Sequence, residues 1–137
     1  MADVDGQAVL IDSSAWVEAP RADGDACYRA RVDFRMSERR AATCEVVAAE
    51  LLRGACTDEE YHRIQSALRS LPALDMTGVG YVAGAISRRL RGAGITIPTT
   101  DLLIAATAVA HDVALLHRDK HLALAGEALG IRQVEPA

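Results

Sequence analysis

The chain has 137 residues, 50% of them hydrophobic and 25% charged, with aromatics at only 4%. This balance excludes a disordered chain, no apolar run approaches the length of a membrane span, and the core must be built from Ala, Val, Leu and Ile. A net charge of −4 excludes a molecule that attracts nucleic acid over its whole surface.

The opening stretch, MADVDGQAVLIDSS, lacks a basic region followed by a long apolar segment, so no signal peptide is expected and the cytoplasm is the expected compartment. AVLID (8–12) is a short apolar run and reads as a buried strand. SSAWVEA (13–19) predicts a short helix with Ser13 or Ser14 as cap. Pro20 and Gly24 mark a break, and 25–36 has moderate helical character. AATC (41–44) predicts a second strand, and EVVAAELLRG (45–54) a helix stopped at Gly54. TDEE (57–60) matches a capping box and predicts a helix from Thr57 to Ser70. Leu71 to Met76, around Pro72, is a short strand candidate. Val82, Ile86 and Leu90 share one face of a helix over 78–91. DLLIAATAVAHD (101–112) predicts a helix opened by Thr99 or Thr100, VALLH (113–117) a strand, DKHLALAGEALG (119–130) a helix, and IRQVE a closing strand.

Alternating strands and helices with short connections predict a single α/β domain over 1–137: a three-layer α/β/α sandwich with a mostly parallel central sheet. Sites in such sheets lie at the carboxyl ends of the strands. Four acids stand where apolar runs break: Asp12, Glu50, Asp101 and Asp119. Each has an ordinary explanation. Asp12 and Asp119 can cap the helices that follow, Asp101 can complement a helix dipole, and Glu50 can be a solvated helix residue. If they meet, their repulsion raises some pKa values, and a divalent cation relieves it. Hard cations with oxygen ligands catalyse phosphodiester chemistry by supplying an activated water and neutralising phosphate charge.

Cys27, Cys44 and Cys56 are odd in number and lack CxxC spacing, which predicts reduced thiols and disfavours a structural zinc site. Lys120 is the only lysine among 15 basic residues. GC-rich coding accounts for that bias, although Arg29, Arg31, Arg35, Arg39 and Arg40 can form a local basic surface.

Taken in order, IDSSAW (11–16), AAELLRG (48–54), TTDLLIAATAVAHD (99–112) and LLHRDKHL (115–122) resemble the PIN domain, and more closely the VapC-type toxin ribonucleases of bacterial toxin–antitoxin pairs. The resemblance spans Val9 to Val134. It implies that Asp12, Glu50, Asp101 and Asp119 are the catalytic and metal-binding quartet, with Asp12 and Asp101 as principal ligands. Ser13 matches the small hydroxyl residue that follows the first acid. The implied activity is a Mg²⁺- or Mn²⁺-dependent endoribonuclease, using metal-activated water on structured RNA such as tRNA or ribosomal RNA. The implied partners are the RNA substrate, a VapB-type antitoxin and a second copy in a homodimer, with DNA reached only through the antitoxin. His117 departs from the pattern, since many relatives have Thr or Ser just before Arg-Asp. His117 and His121 can assist proton transfer, but the plainer expectation is a strand-end histidine and a solvated helix histidine. Arg118 can contact RNA phosphate or antitoxin, or be a plain surface charge. Trp16 is expected as a packing anchor, with an antitoxin groove as its other reading. Two alternatives remain: an inactive PIN-like binding module, and an Asp/Mg²⁺ phosphotransfer domain, which DSS at 12–14 and the position of Lys120 oppose.

Overall fold

A computed structural model describes residues 8–20, 28–30 and 40–134. Strand β1 (Ala8–Ile11) runs at the centre of a four-stranded sheet in the order β4-β1-β5-β6. Its neighbours are β4 (Arg40–Ala42) and β5 (Ala114–Leu116), and β6 (Gln133–Val134) adds outside β5. All three pairings are parallel. The apolar runs read from the sequence explain this, because parallel strands are covered on both faces. Val9, Leu10, Ile11, Ala114, Leu115 and Leu116 are all nearly inaccessible to solvent.

Among the described residues the helices are α1 (Ser13–Trp16), α2 (Glu45–Arg53), α3 (Asp58–Arg69), α4 (Val79–Gly92), α5 (Thr99–His111) and α6 (Lys120–Leu129). α5 is apolar almost all round and is enclosed accordingly. Ile104, Ala105 and Ala108 face the main core with β1, β5 and α2, while Ala106 joins the cluster formed by α4 and Ala125. Thr107 is fully buried in this helix, and its hydroxyl donates to the Leu103 carbonyl at 2.7 Å. Alanine here lets neighbouring helices approach closely, as the shortage of aromatics requires.

Three local expectations change. The helix expected over 13–19 is a single turn, and Val17–Pro20 is a strand (β2) paired antiparallel with Tyr28–Ala30 (β3). Val17 is β-branched and Pro20 disfavours helical backbone at Ala19, so the chain leaves the helix early. The rest of the segment 25–36, and most of the arginine group at 29–40, lie outside the described residues. The strand expected over 71–76 reduces to one bridge, Thr43 with Ala73. Pro72 has no N–H to donate, and only its carbonyl joins, accepting from Thr43 N at 2.9 Å. Finally, Cys44 is a free thiol whose pKa burial pushes up, but Cys56 is disulfide-bonded. Residue count and spacing do not register spatial proximity; Cys27 lies outside the described residues.

The Thr57 side chain caps α3, accepting from Glu60 N at 3.1 Å. Thr57→Ala is expected to lower the unfolding free energy by about 1 kcal/mol in urea titrations. An unchanged midpoint would show that the cap contributes nothing.

Candidate metal centre

The site begins where β1 ends. Asp12 follows three core residues, and its N–H donates to the Leu116 carbonyl of β5 at 2.9 Å. The carboxyl group is thereby fixed at the carboxyl edge of two adjacent parallel strands, at only 3% exposure. Oδ2 accepts from Ser14 N at 3.0 Å and from the Ser14 hydroxyl at 2.5 Å. Oδ1 is buried with no hydrogen-bond partner among the described residues. The Ser14 hydroxyl oxygen also accepts Arg118 N at 2.9 Å. It therefore ties the loop after β5 to the first acid, a role that goes beyond the helix cap read from sequence.

Glu50 settles a question of helix rotation. α2 buries Val47 and Leu51 against the core, and this turns Glu50 toward α1, where Ser13 donates its hydroxyl to Oε1 at 3.2 Å. Burial raises the Glu50 pKa first, followed by the charge of Asp12; the Ser13 bond lowers it, and Asp101 and Asp119 raise it further. Asp101 lies in the first turn of α5, half-buried. Its carboxyl is pushed up to about 6, by burial first and then by Asp119 and Asp12, against a smaller pull from His121 and His117. The four expected acids thus meet at one edge of the sheet.

Asp119 does cap α6, with Oδ1 accepting from His121 N at 2.7 Å and Leu122 N at 3.0 Å. Oδ2 has no protein hydrogen bond among the described residues. Capping and site membership are therefore compatible, since the cap orients the carboxylate by one oxygen.

His121 is a helix histidine with 38% of its side chain exposed, and it also borders the acids. Its Nδ1 lies 3.6 Å from Asp101 Oδ2 and 3.7 Å from Asp119 Oδ1. Single ligand atoms of Asp101, Asp119 and His121 all fall within 4.8 Å of one another. Only its place in the turn behind a capping Asp signalled this in the sequence. His117 does not meet the carboxylates directly: Nδ1 accepts Asp119 N at 3.1 Å, and Nε2 is 2.6 Å from Gln133 Oε1. Arg118 is exposed at the rim, and Trp16 is buried, as a packing anchor should be.

A buried carboxylate oxygen without a partner is costly unless a cation reaches it. Asp12 Oδ1, beside Glu50 and Asp101, whose pKa values are raised by burial first and by neighbouring acids second, fits a hard divalent cation held mainly by oxygen. Asp101, Asp119 and His121 are the residues whose ligand atoms lie close enough together to hold such an ion, with Asp12 and Glu50 as further carboxylates beside them.

The raised Asp101 pKa sets a pH dependence. The folded state holds its proton more tightly than the unfolded chain, so this group's contribution to stability is full below the ordinary value of 3.8 and is lost as pH rises to about 6. Without metal, Asp101→Asn should melt a few degrees above the wild type at about pH 7.5, and the gap should close toward pH ~4. A variant that melts below the parent at both pH values contradicts the repulsion.

The PIN domain family model matches residues 9–128. A VapC ribonuclease of Mycobacterium bovis is 38% identical over 115 residues, covering 81% of this chain and 86% of the relative. Ribonuclease VapC11 of Mycobacterium tuberculosis matches to the same extent, 38% over 115 residues. Among solved structures, VapBC2 from Rickettsia felis, bound to a DNA fragment from its promoter, superposes with a TM-score of 0.71 at 18% identity, covering 96% of this chain and 100% of that one. VapBC-5 from Mycobacterium tuberculosis superposes with a TM-score of 0.61 at 20% identity, covering 93% and 98%. At these identities the superpositions show a shared fold; the family-model match and the 38% relatives carry the assignment. The chain belongs to the PIN-domain family, in its VapC branch.

Proposed function

We propose that this protein is a divalent-cation-dependent endoribonuclease, the toxin of a toxin–antitoxin pair, acting on structured RNA. The observation that carries this reading is the set of four convergent acids around a buried, unpartnered Asp12 Oδ1. It is supported by relatives at 38% identity that are themselves named ribonucleases. Mg²⁺ or Mn²⁺ suits the donor set. When bound, the cation would supply Lewis-acid activation of water and neutralise phosphate charge.

The chain's own residues do the rest. Ser14 holds Asp12 and Ser13 holds Glu50, so two catalytic carboxylates stay in place before substrate arrives. Glu50 has a raised pKa, the direction a proton acceptor needs. Water oxygen bonds to phosphorus while the bond from phosphorus to the 3′-oxygen breaks. The water's proton passes to a site carboxylate, and the departing 3′-oxygen takes a proton from solvent water, leaving a 5′-phosphate and a 3′-hydroxyl. Beside the acids lies a cavity of ≈ 470 Å³ lined by His117, Arg118, Asp119, Lys120, Ala123 and Glu127, among others. Arg118 and Lys120 would offer the RNA backbone its phosphate contacts there.

A cluster of acids that attracts a metal ion also attracts a cationic side chain. A VapB-type antitoxin that inserts an arginine would occupy the same charge well, and solved relatives of this fold are VapBC assemblies. The working unit in this reading is a homodimer, as the resemblance to VapC-type toxins implies. An inactive binding module would have no need for the complete quartet.

Asp12→Asn and Asp101→Asn should each lower RNA cleavage with Mg²⁺ or Mn²⁺ by about 100-fold or more, and relieve growth inhibition in cells, while the proteins stay folded. End mapping of wild-type products on total RNA should find 5′-phosphates. Wild-type rates in either variant, or cyclic phosphate ends, would falsify this assignment.

A further inference from the structure

His117 stands two residues ahead of Asp119, and its surroundings give it a defined role. Asp119 N–H can only donate, so the His117 Nδ1 that accepts it at 3.1 Å carries no proton. The ring proton is then on Nε2 and donates to Gln133 Oε1 at 2.6 Å. The Gln133 amide is held in turn, with Nε2 3.4 Å from the Ala123 carbonyl of α6. Register explains why these groups meet. Gln133 pairs with Leu115, and His117 immediately follows the end of β5, which brings the two side chains within hydrogen-bond reach on the side where Gln133 meets α6. There α6 carries Gly126, where a Cβ would lie 2.5 Å from Gln133 Cδ, 2.6 Å from Nε2 and 2.9 Å from Oε1. The missing side chain is the space through which Gln133 crosses the helix.

We propose that Gly126, Gln133 and His117 form a brace that positions Asp119: the edge strand reaches over α6, fixes the imidazole, and the imidazole fixes the backbone N–H of the fourth acid. His117 is thus a positioning residue, not a proton donor or acceptor for the substrate. This rests on the reading of Asp119 as a member of the cation site. Partners one step removed from a metal ligand commonly change metal affinity by about 10–100-fold when removed.

Gly126→Ala tests the brace without touching the site. The atoms in its way are the far end of a flexible side chain, so Gln133 should swing out with little damage, and alanine favours the helix. Gln133→Ala removes the acceptor directly. Nitrogen NMR of the histidine rings at neutral pH should show wild-type His117 protonated at Nε2 with a bare Nδ1, and a mixture of tautomers in both variants. Calorimetric titration with Mn²⁺ should show affinity reduced by about tenfold in both, with Gly126→Ala melting no lower than the parent. A wild-type His117 protonated at Nδ1 overturns the brace whatever the metal does. Loss of the tautomer with unchanged Mn²⁺ affinity overturns its positioning role. A wild type with the expected tautomer that binds no Mn²⁺ sinks the cation reading of Asp119, and the role built on it.

Discussion

Burial of the Asp12 carboxylate at the end of a core strand is the constraint on which the rest of this structure depends. Its neighbours Val9, Leu10 and Ile11 are fixed by packing, and its N–H is bonded to β5, so the group cannot swing out to water without breaking the sheet. One oxygen is satisfied by Ser14, and the other has no partner among the described residues. A buried carboxylate oxygen without a partner is costly, and a cation can supply one.

The parallel sheet converts this one constraint into a site. Because β1 and β5 run the same way, the loops after them open at the same edge, and Asp12 and Asp119 come from neighbouring strands. Ser14 links the two loops by accepting Arg118 N. α5, enclosed on nearly every side, presents Asp101 from a rigid first turn, and α2 turns Glu50 inward because Val47 and Leu51 must face the core. Each acid is positioned by apolar burial behind it, which is why a rather plain Ala- and Leu-rich core can hold four repelling groups together.

Much of this was legible in the sequence. Apolar runs of strand length alternating with periodic segments gave the parallel α/β layers, and acids at the breaks gave the candidate quartet. Glu50 was open until the rotation of α2 was known, since Val46 alone left it at the border of the apolar face. The one-turn length of α1 was hidden because SSAWVEA has good helical composition, and the cost at Ala19 comes only from Pro20. The approach of His121 to Asp101 is not written in helical spacing, because Asp101 arrives from another helix. Likewise, the contact between His117 and Gln133 depends on register across two strands and on a glycine in a third element. Contacts of that kind are set by tertiary geometry.

The central claim is that the carboxylates converge to hold one or more divalent cations. Crystals soaked in Mn²⁺ and measured at the manganese absorption edge test it most directly. An anomalous peak within coordination distance of Asp12 Oδ1 and Asp101, at roughly 2.0–2.3 Å, is the expected result. Full-occupancy manganese elsewhere on the molecule, with no peak beside Asp12, would contradict it.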